Sequence, residues 1–254
     1  MRVAQVVLLP GGVLPAELAY RALIDALGPG IDAQTKDLEV YATERPAPDF
    51  GLDSEVDGLL READEAGFET FHAVGYSAGG ATVLATVAAA PERLRSVALL
   101  EPAWAGWAGI SELEAAMWER IREVMHLPDD DMMRRFVEVE LAPGVPPPES
   151  PPGPLPDWMS KRPAGLRSLV RAFDATDLDP AALRSFDRPV YYALGGLSHP
   201  DLYAQIGERL AGVFSDFTLE RFEERHHFDP PHRVEPERLA KSLRALWARA
   251  DEGL

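Results

Sequence analysis

The stretch Phe71-His72-Ala73-Val74-Gly75-Tyr76-Ser77-Ala78-Gly79-Gly80 decides the fold. It reads as a short buried strand, then a tight turn with Ser77 at its apex, then a helix. Its centre, Gly75-Tyr76-Ser77-Ala78-Gly79, is a G-x-S-x-G match. A serine that closes a strand and opens a helix in one sharp turn is pushed out of the sheet, and the turn is strained. Glycines two residues to either side remove side chains that would collide where strand and helix come close. The helix aims its N-terminal N–H groups at the serine, so charge developing there is stabilised. Apolar Ala73-Val74 before the turn and the small-residue run from Ala81 to Ala90 after it fit this reading. Without chemistry, the same pattern is a Gly-rich strand–helix turn with an idle serine.

Toward the N-terminus, Val3 to Leu9 is a nearly unbroken apolar run bounded by Pro10-Gly11-Gly12, the pattern of a parallel strand buried on both faces. Pro15 to Leu27 predicts a helix, with Pro15 in its first turn and Gly28-Pro29-Gly30 as its stop. Leu38-Glu39-Val40-Tyr41 is expected to form a second, shorter strand, and Val56 to Ala66 an amphipathic helix. Beyond the elbow helix, Pro91 breaks the pattern and Leu94 to Leu100 gives a strand ending at Glu101-Pro102.

Residues 103–187 differ in character. Helical patterns surround 111–127 and 129–141, and Ser111 with Glu114 has the S-x-x-E spacing of a capping box. A proline-rich segment from Ala142 to Pro154 can be neither helix nor central strand. Ala164 to Phe173 is helical again. Alternation then resumes, with strands at Pro189 to Leu194 and Phe217 to Phe222, a helix at Pro200 to Val213, and a closing helix at Pro236 to Ala250. Residues 1–102 and 188–254 thus read as an α/β core, and 103–187 as a helical insertion. Alternating strands and helices imply a mostly parallel sheet covered on both faces, with sites at the carboxyl ends of its strands.

The composition excludes several function classes. Of 254 residues, 46% are hydrophobic and 26% charged, which is an ordinary globular balance. A net charge of −17 opposes phosphate backbones, so no nucleic-acid partner is expected. The chain has no cysteine, hence no disulfide framework and no thiolate chemistry, which is compatible with a reducing cytoplasm. The apolar start is too short for a signal peptide and runs into Pro-Gly-Gly, and no apolar run is long enough to span a bilayer. A cytoplasmic location with no membrane partner is therefore expected. The abundance of Ala, Arg, Pro, Asp and Glu points to a GC-rich bacterial genome.

The elbow, the Gly-rich turn after the first strand, the insertion and a His-Phe before the closing helix together make the chain resemble the α/β-hydrolase superfamily over essentially its whole length. The resemblance implies an α/β-hydrolase fold with a lid at 103–187. The family's first two strands have no counterpart here, which leaves a sheet of about six strands. It also implies a serine hydrolase acting through an acyl-enzyme at Ser77, with a small, largely apolar carboxylic ester as substrate and no cofactor. Alternatives are a hydrolase-fold binding protein without catalysis, or the same residues turned to amide, lactone or C–C bond hydrolysis.

His227, followed by Phe228, matches the family's histidine. His226, His232 and Asp229 nearby offer a metal-cluster reading, but without a helix-type H-x-x-x-H spacing no metal is expected. The family commonly carries its acid at the fourth position of a Gly-x-x-Asp turn, where this chain has Gly195-Gly196-Leu197-Ser198. Some members place the acid one strand earlier, which here is Glu101. Glu101 is preferred, with Asp201 as the alternative. The resemblance assigns the oxyanion hole to the backbone N–H groups of Ala78 and Gly12, with Val13 as a near alternative to Gly12. Residues 103–187 concentrate four of the five tryptophans. Tyr76, Trp104, Trp107 and Trp118 are the expected lining of an apolar substrate pocket over Ser77.

Overall fold

The computed structural model describes residues 3–149 and 153–252. Residues 1 and 2 of the apolar start and 150–152 of the proline-rich segment lie outside them. In chain order the regular elements are β1 (Ala4–Leu9), α1 (Ala16–Leu27), β2 (Ile31–Thr35), α2 (Leu52–Glu65), β3 (Phe71–Tyr76), α3 (Ala78–Ala89) and β4 (Leu94–Leu100). Next come α4 (Glu112–Met125), α5 (Asp129–Val139), α6 (Arg162–Ala175) and α7 (Pro180–Arg184), and then β5 (Val190–Gly195), α8 (Gln205–Ala211), β6 (Phe217–Phe222), α9 (Pro231–Val234) and α10 (Pro236–Glu252).

The strands form one six-stranded sheet in the order β2-β1-β3-β4-β5-β6, and every pairing is parallel. Because β1 leads first to β2 on one side and then to β3 on the other, the order reverses between β1 and β3. That is where an open parallel sheet leaves a crevice at its carboxyl edge. The two strands that flank this crevice end at Leu9 and Tyr76, directly before Pro10-Gly11-Gly12 and Ser77.

The apolar runs divide between two cores. On β1, Val7 and Leu9 face the core that holds α2 and α3, while Val6 and Leu8 face the core built on α1 and α10. Phe71 and Ala73 of β3 share the first core, and Val74 faces the second. Burial on both faces is why these strands read as unbroken runs. β6, at one edge, keeps Thr218, Leu219 and Arg221 exposed, so its burial does not follow the alternation its sequence suggests. No helix among the described residues is long and apolar enough to cross a membrane.

The second strand is a correction. Residues 38–41 do not pair with the sheet. Glu39–Tyr41 is a 3-10 turn, and β2 is the polar segment Ile31-Asp32-Ala33-Gln34-Thr35 at the sheet edge. The apolar signal at Leu38 and Val40 was real, since both are buried, but a side-chain carboxylate supplies the backbone partners there. Glu55 of α2 accepts the N–H of Glu39 at 2.8 Å and of Val40 at 2.9 Å. The edge strand β2 faces partly onto solvent and so lacks the apolar run that marks its neighbours.

Between β4 and β5 the chain leaves the sheet and builds α4 to α7. Ser111 caps α4, its hydroxyl accepting the Glu114 N–H at 3.1 Å. The buried Glu114 carboxylate instead accepts from Arg209 of α8 at 2.6 Å, tying this excursion to the core. Trp104 stacks on Phe173 of α6 with ring centroids 5.5 Å apart. Trp107 meets both Trp104 and Trp118 edge-on and donates its indole N–H to the Phe173 carbonyl at 2.9 Å.

Glycine is required at the elbow because backbones touch. A Cβ on Gly75 would lie 2.3 Å from the Gly79 carbonyl oxygen, and one on Gly79 would lie 2.5 Å from that of Leu9. Neither neighbour is a side chain that could turn away. Gly75→Ala is therefore expected to cost about 3 kcal/mol or more. Ser111→Ala, which removes one helix cap, is expected to cost about 1 kcal/mol. Chemical denaturation of the two variants checks both magnitudes and their order.

Candidate active site

Three side chains from three strand ends converge. Ser77, between β3 and α3, has φ 53° and ψ −118°, and Glu101, directly after β4, has φ 47°. They are the two non-glycine residues with positive φ among those described. Such backbone is held only where its surroundings over-determine it. The Ser77 N–H donates to the Leu100 carbonyl at 3.1 Å, and its own carbonyl accepts from Ala103 at 2.9 Å. Strain at Ser77 is thus fixed by the strand that carries Glu101.

His227 lies in the loop between β6 and α9 and is 1% exposed. Its Nε2 is 3.0 Å from Ser77 Oγ, and its Nδ1 is 3.1 Å from Glu101 Oε2. The other Glu101 oxygen, Oε1, accepts the Gly195 N–H at 2.7 Å, so the carboxylate is clamped between the end of β5 and the imidazole. The Tyr203 ring stacks on His227 with centroids 4.4 Å apart, and Tyr76 packs against it at 5.0 Å and donates its hydroxyl to the His227 carbonyl. Burial raises both tyrosine hydroxyls well above their usual range, so neither ionises near neutral pH. The set can pass a proton from Ser77 to His227 while Glu101 holds the Nδ1–H.

Asp201 sits in the turn Pro200–Ala204, where its N–H donates to His199 Nδ1 at 3.3 Å. Among the described residues it makes no hydrogen bond or ion pair with His227. His226 accepts the Phe228 N–H at 3.2 Å, and Asp229 pairs with Arg225 at 2.7 Å. His232 is fully buried between Tyr20 and Tyr76, and burial holds its pKa down to about 3, so it is neutral. Among the described residues no group of His, Cys, Asp or Glu side chains could hold a metal ion.

Above Ser77 and His227 lies an open cleft of about 1540 Å³. Gly12, Tyr76, Met133, Phe136, Leu155 and Phe228 are among its lining residues. Trp104, Trp107 and Trp118 do not line it, which corrects the sequence expectation. Trp104 and Trp118 are fully buried, and all three rings join α4 to α6 through stacked and edge-on contacts. Their clustering is the core of the excursion rather than a pocket wall. Gly12 lies at the cleft, and neither its N–H nor that of Ala78 has an acceptor among the described residues.

Two neighbours escaped the sequence reading. Tyr41, expected on a strand, donates its hydroxyl to the Gly12 carbonyl at 2.6 Å. Its ring lies under Arg162 at 3.9 Å, and Gly165 of α6 leaves it room. Glu140, just after α5, is buried with Oε2 3.5 Å from His227 Nε2. One signal was legible: Met132, Phe136 and Glu140 fall at i, i+4, i+8, so the carboxylate continues the buried face of α5.

Burial lifts the Glu140 carboxyl from its ordinary 4.5 to about 7, with His227 and the Tyr203 hydroxyl pulling partly back and Glu101 pushing up. Between those values the folded chain holds a proton that the unfolded chain has released, so stability falls as pH rises. Glu140→Gln has no such proton. Its melting temperature is therefore expected to gain on the wild type between about pH 5 and pH 8. A difference that stays constant with pH contradicts this ionisation.

A family model for the alpha/beta hydrolase fold matches residues 22–147. No curated protein sequence matches the chain. Among solved structures, a thermophilic esterase from Thermogutta terrifontis superposes with a TM-score of 0.71 at 15% identity, covering 97% of this chain and 90% of that one. The carboxylesterase CesB from Bacillus subtilis gives 0.66 at 15% identity, with 96% and 83% covered. A meta-cleavage product hydrolase from Pseudomonas fluorescens IP01 gives 0.64 at 18%, with 97% and 91% covered. At such identities the likeness is one of fold, and it runs the length of the sheet and its helices. With the family model over 22–147 and the six parallel strands, it gives the chain the alpha/beta hydrolase fold.

Proposed function

We propose that the chain is a serine hydrolase that cleaves a small, largely apolar carboxylic ester through an acyl-enzyme on Ser77. The observation that carries this reading is the unbroken contact from Ser77 Oγ through His227 to Glu101, with Ser77 on strained backbone lining the cleft. His227 Nε2 takes the Ser77 proton as Oγ attacks the ester carbonyl, and then gives it to the leaving alkoxide. The Gly12 and Ala78 N–H groups receive the oxyanion, with the start of α3 adding its positive end. Water then releases the acid by the same route in reverse. Glu101 keeps the imidazole in the tautomer with Nδ1–H.

Residues 103–187 act as a cap, and the Met133, Phe136 and Phe228 side chains offer the acyl or alcohol part an apolar surface. The partner is thus a small uncharged molecule, and the acidic chain works in the cytoplasm without nucleic acid or membrane. The esterases among its structural neighbours agree with this reading.

A fluorophosphonate is expected to label Ser77, and hydrolysis of p-nitrophenyl esters of graded chain length, beside an amide control, locates the substrate class. No labelling where a control hydrolase reacts defeats the proposal in favour of a binding protein. Glu101→Gln is expected to lower kcat by about 10³–10⁴-fold, because the wrong imidazole tautomer then faces Ser77. Asp201→Asn is expected to stay within about twofold, as for a side chain away from the reacting groups. Equal losses would refute the assignment of the acid. Tyr41→Phe is expected to lower kcat about tenfold with little change in KM, since it frees the Gly12 loop that receives charge only in the transition state.

A further inference from the structure

One carboxyl group at this site has no part in the steps above. Glu140 Oε2 is shielded from solvent and has no hydrogen-bond partner among the described residues, although it lies 3.5 Å from His227 Nε2. That same nitrogen is 3.0 Å from Ser77 Oγ. A buried polar oxygen without a donor is costly, and it calls for a ligand or a role. Its placement is also enforced. The Glu140 carbonyl accepts the His199 N–H at 2.9 Å, Leu141 forms an antiparallel bridge with Ser198, and Ala142 N–H donates to the Leu197 carbonyl at 3.0 Å. The end of α5 is thereby sewn to the loop that follows β5. These pairs fix the backbone that carries the carboxyl group.

We infer that Glu140 is a further catalytic residue, the second acceptor for the water that deacylates Ser77. The inference rests on the proposed acyl-enzyme. A water with normal hydrogen bonds of about 2.8 Å to both Nε2 and Oε2 closes a triangle over their separation and leaves its oxygen lone pair free. One water proton passes to Nε2 as the oxygen bonds to the acyl carbon. The other O–H donates to Glu140 Oε2 and stays on the product acid. The bond from the acyl carbon to Ser77 Oγ then breaks, and the Nε2 proton returns to Oγ. Glu140 only accepts a hydrogen bond, so no net proton is gained or lost by it.

The role is selective for water. During acylation the leaving alkoxide takes its proton from Nε2 and has no O–H to offer Glu140. An alcohol attacking the acyl-enzyme spends its single O–H on Nε2. Only water has a second one. Glu140 therefore favours hydrolysis over transfer to alcohols.

The test is the partition of the acyl-enzyme between water and methanol, with p-nitrophenyl butyrate as acyl donor and butyric acid and methyl butyrate as the products counted. Being a ratio, it is insensitive to the fraction of protein folded. Glu140→Met, an apolar side chain of similar length, is expected to raise methanolysis over hydrolysis about tenfold, the loss assigned to one positioning hydrogen bond in a transition state. It should also show a p-nitrophenol burst with a butyryl adduct on Ser77. Glu140→Gln, whose amide oxygen still accepts, is expected to shift the ratio much less. Glu140→Leu serves in place of the methionine variant if that one does not fold. An unchanged ratio in the apolar variant, or equal shifts in it and the glutamine variant, overturns the inference. Absence of any Ser77 adduct in all variants and in fluorophosphonate-treated wild type overturns the proposed function itself, before the ratio is read.

Discussion

The architecture depends on one close approach, that of the first turn of α3 to the carbonyl ends of β1. Gly79 donates its N–H to the Pro10 carbonyl at 3.0 Å, and a Cβ there would sit 2.5 Å from the Leu9 carbonyl oxygen. Two backbones therefore meet with nothing between them. This contact fixes the angle at which α3 leaves the sheet, and with it the backbone strain at Ser77. It also brings Gly11 and Gly12 alongside the serine, since a Cβ on Gly11 would be 3.1 Å from Ser77 Cβ. A sheet whose order reverses between β1 and β3 has a crevice there in any case, but glycine decides how narrow it is.

The second constraint is the position of the carboxylate on His227. The turn after β5 carries Ser198 where the family commonly has an acid, and Ser198 is buried with no hydrogen-bond partner for its hydroxyl among the described residues. Glu101 reaches the imidazole from the neighbouring strand, and β5 still takes part, through the Gly195 N–H on Glu101 Oε1. The turn after β5 also pairs with the end of α5, through the bridge between Leu141 and Ser198. That backbone pairing anchors the helices between β4 and β5 over the cleft.

What the sequence revealed follows from where side chains are buried. β1, β3, β4 and β5 are buried on both faces, and each appears as an apolar run. Ser77, Glu101 and His227 were legible because each follows a strand in a parallel sheet. β2 was not, since an edge strand with partly exposed faces has no periodic signal, and its sequence Ile-Asp-Ala-Gln-Thr resembles a loop. The Leu38–Tyr41 turn misled because burial alone does not distinguish a strand from a turn whose N–H groups are taken by Glu55. The tryptophans misled for a related reason. A concentration of large apolar residues locates a core, and only geometry tells whether that core faces a cleft or, as with Trp104 against Phe173, another helix.

Two glutamates flank one imidazole, and their hydrogen bonds separate their roles. Glu101 has a donor on each oxygen, the Gly195 N–H and the His227 ring, so its negative charge is paired and its geometry fixed. Glu140 has an oxygen without a donor, and burial, with Glu101 pushing the same way, lifts that carboxyl to about 7. A fully bonded carboxylate orients and stabilises a cation beside it, and gains nothing by binding a further donor. A carboxyl oxygen with an unused lone pair can still accept, and the molecule that can use it must reach the space beside Nε2 and Ser77 Oγ. Environment, not residue type, therefore separates the two glutamates, one fully bonded against His227 and the other with an oxygen still able to accept.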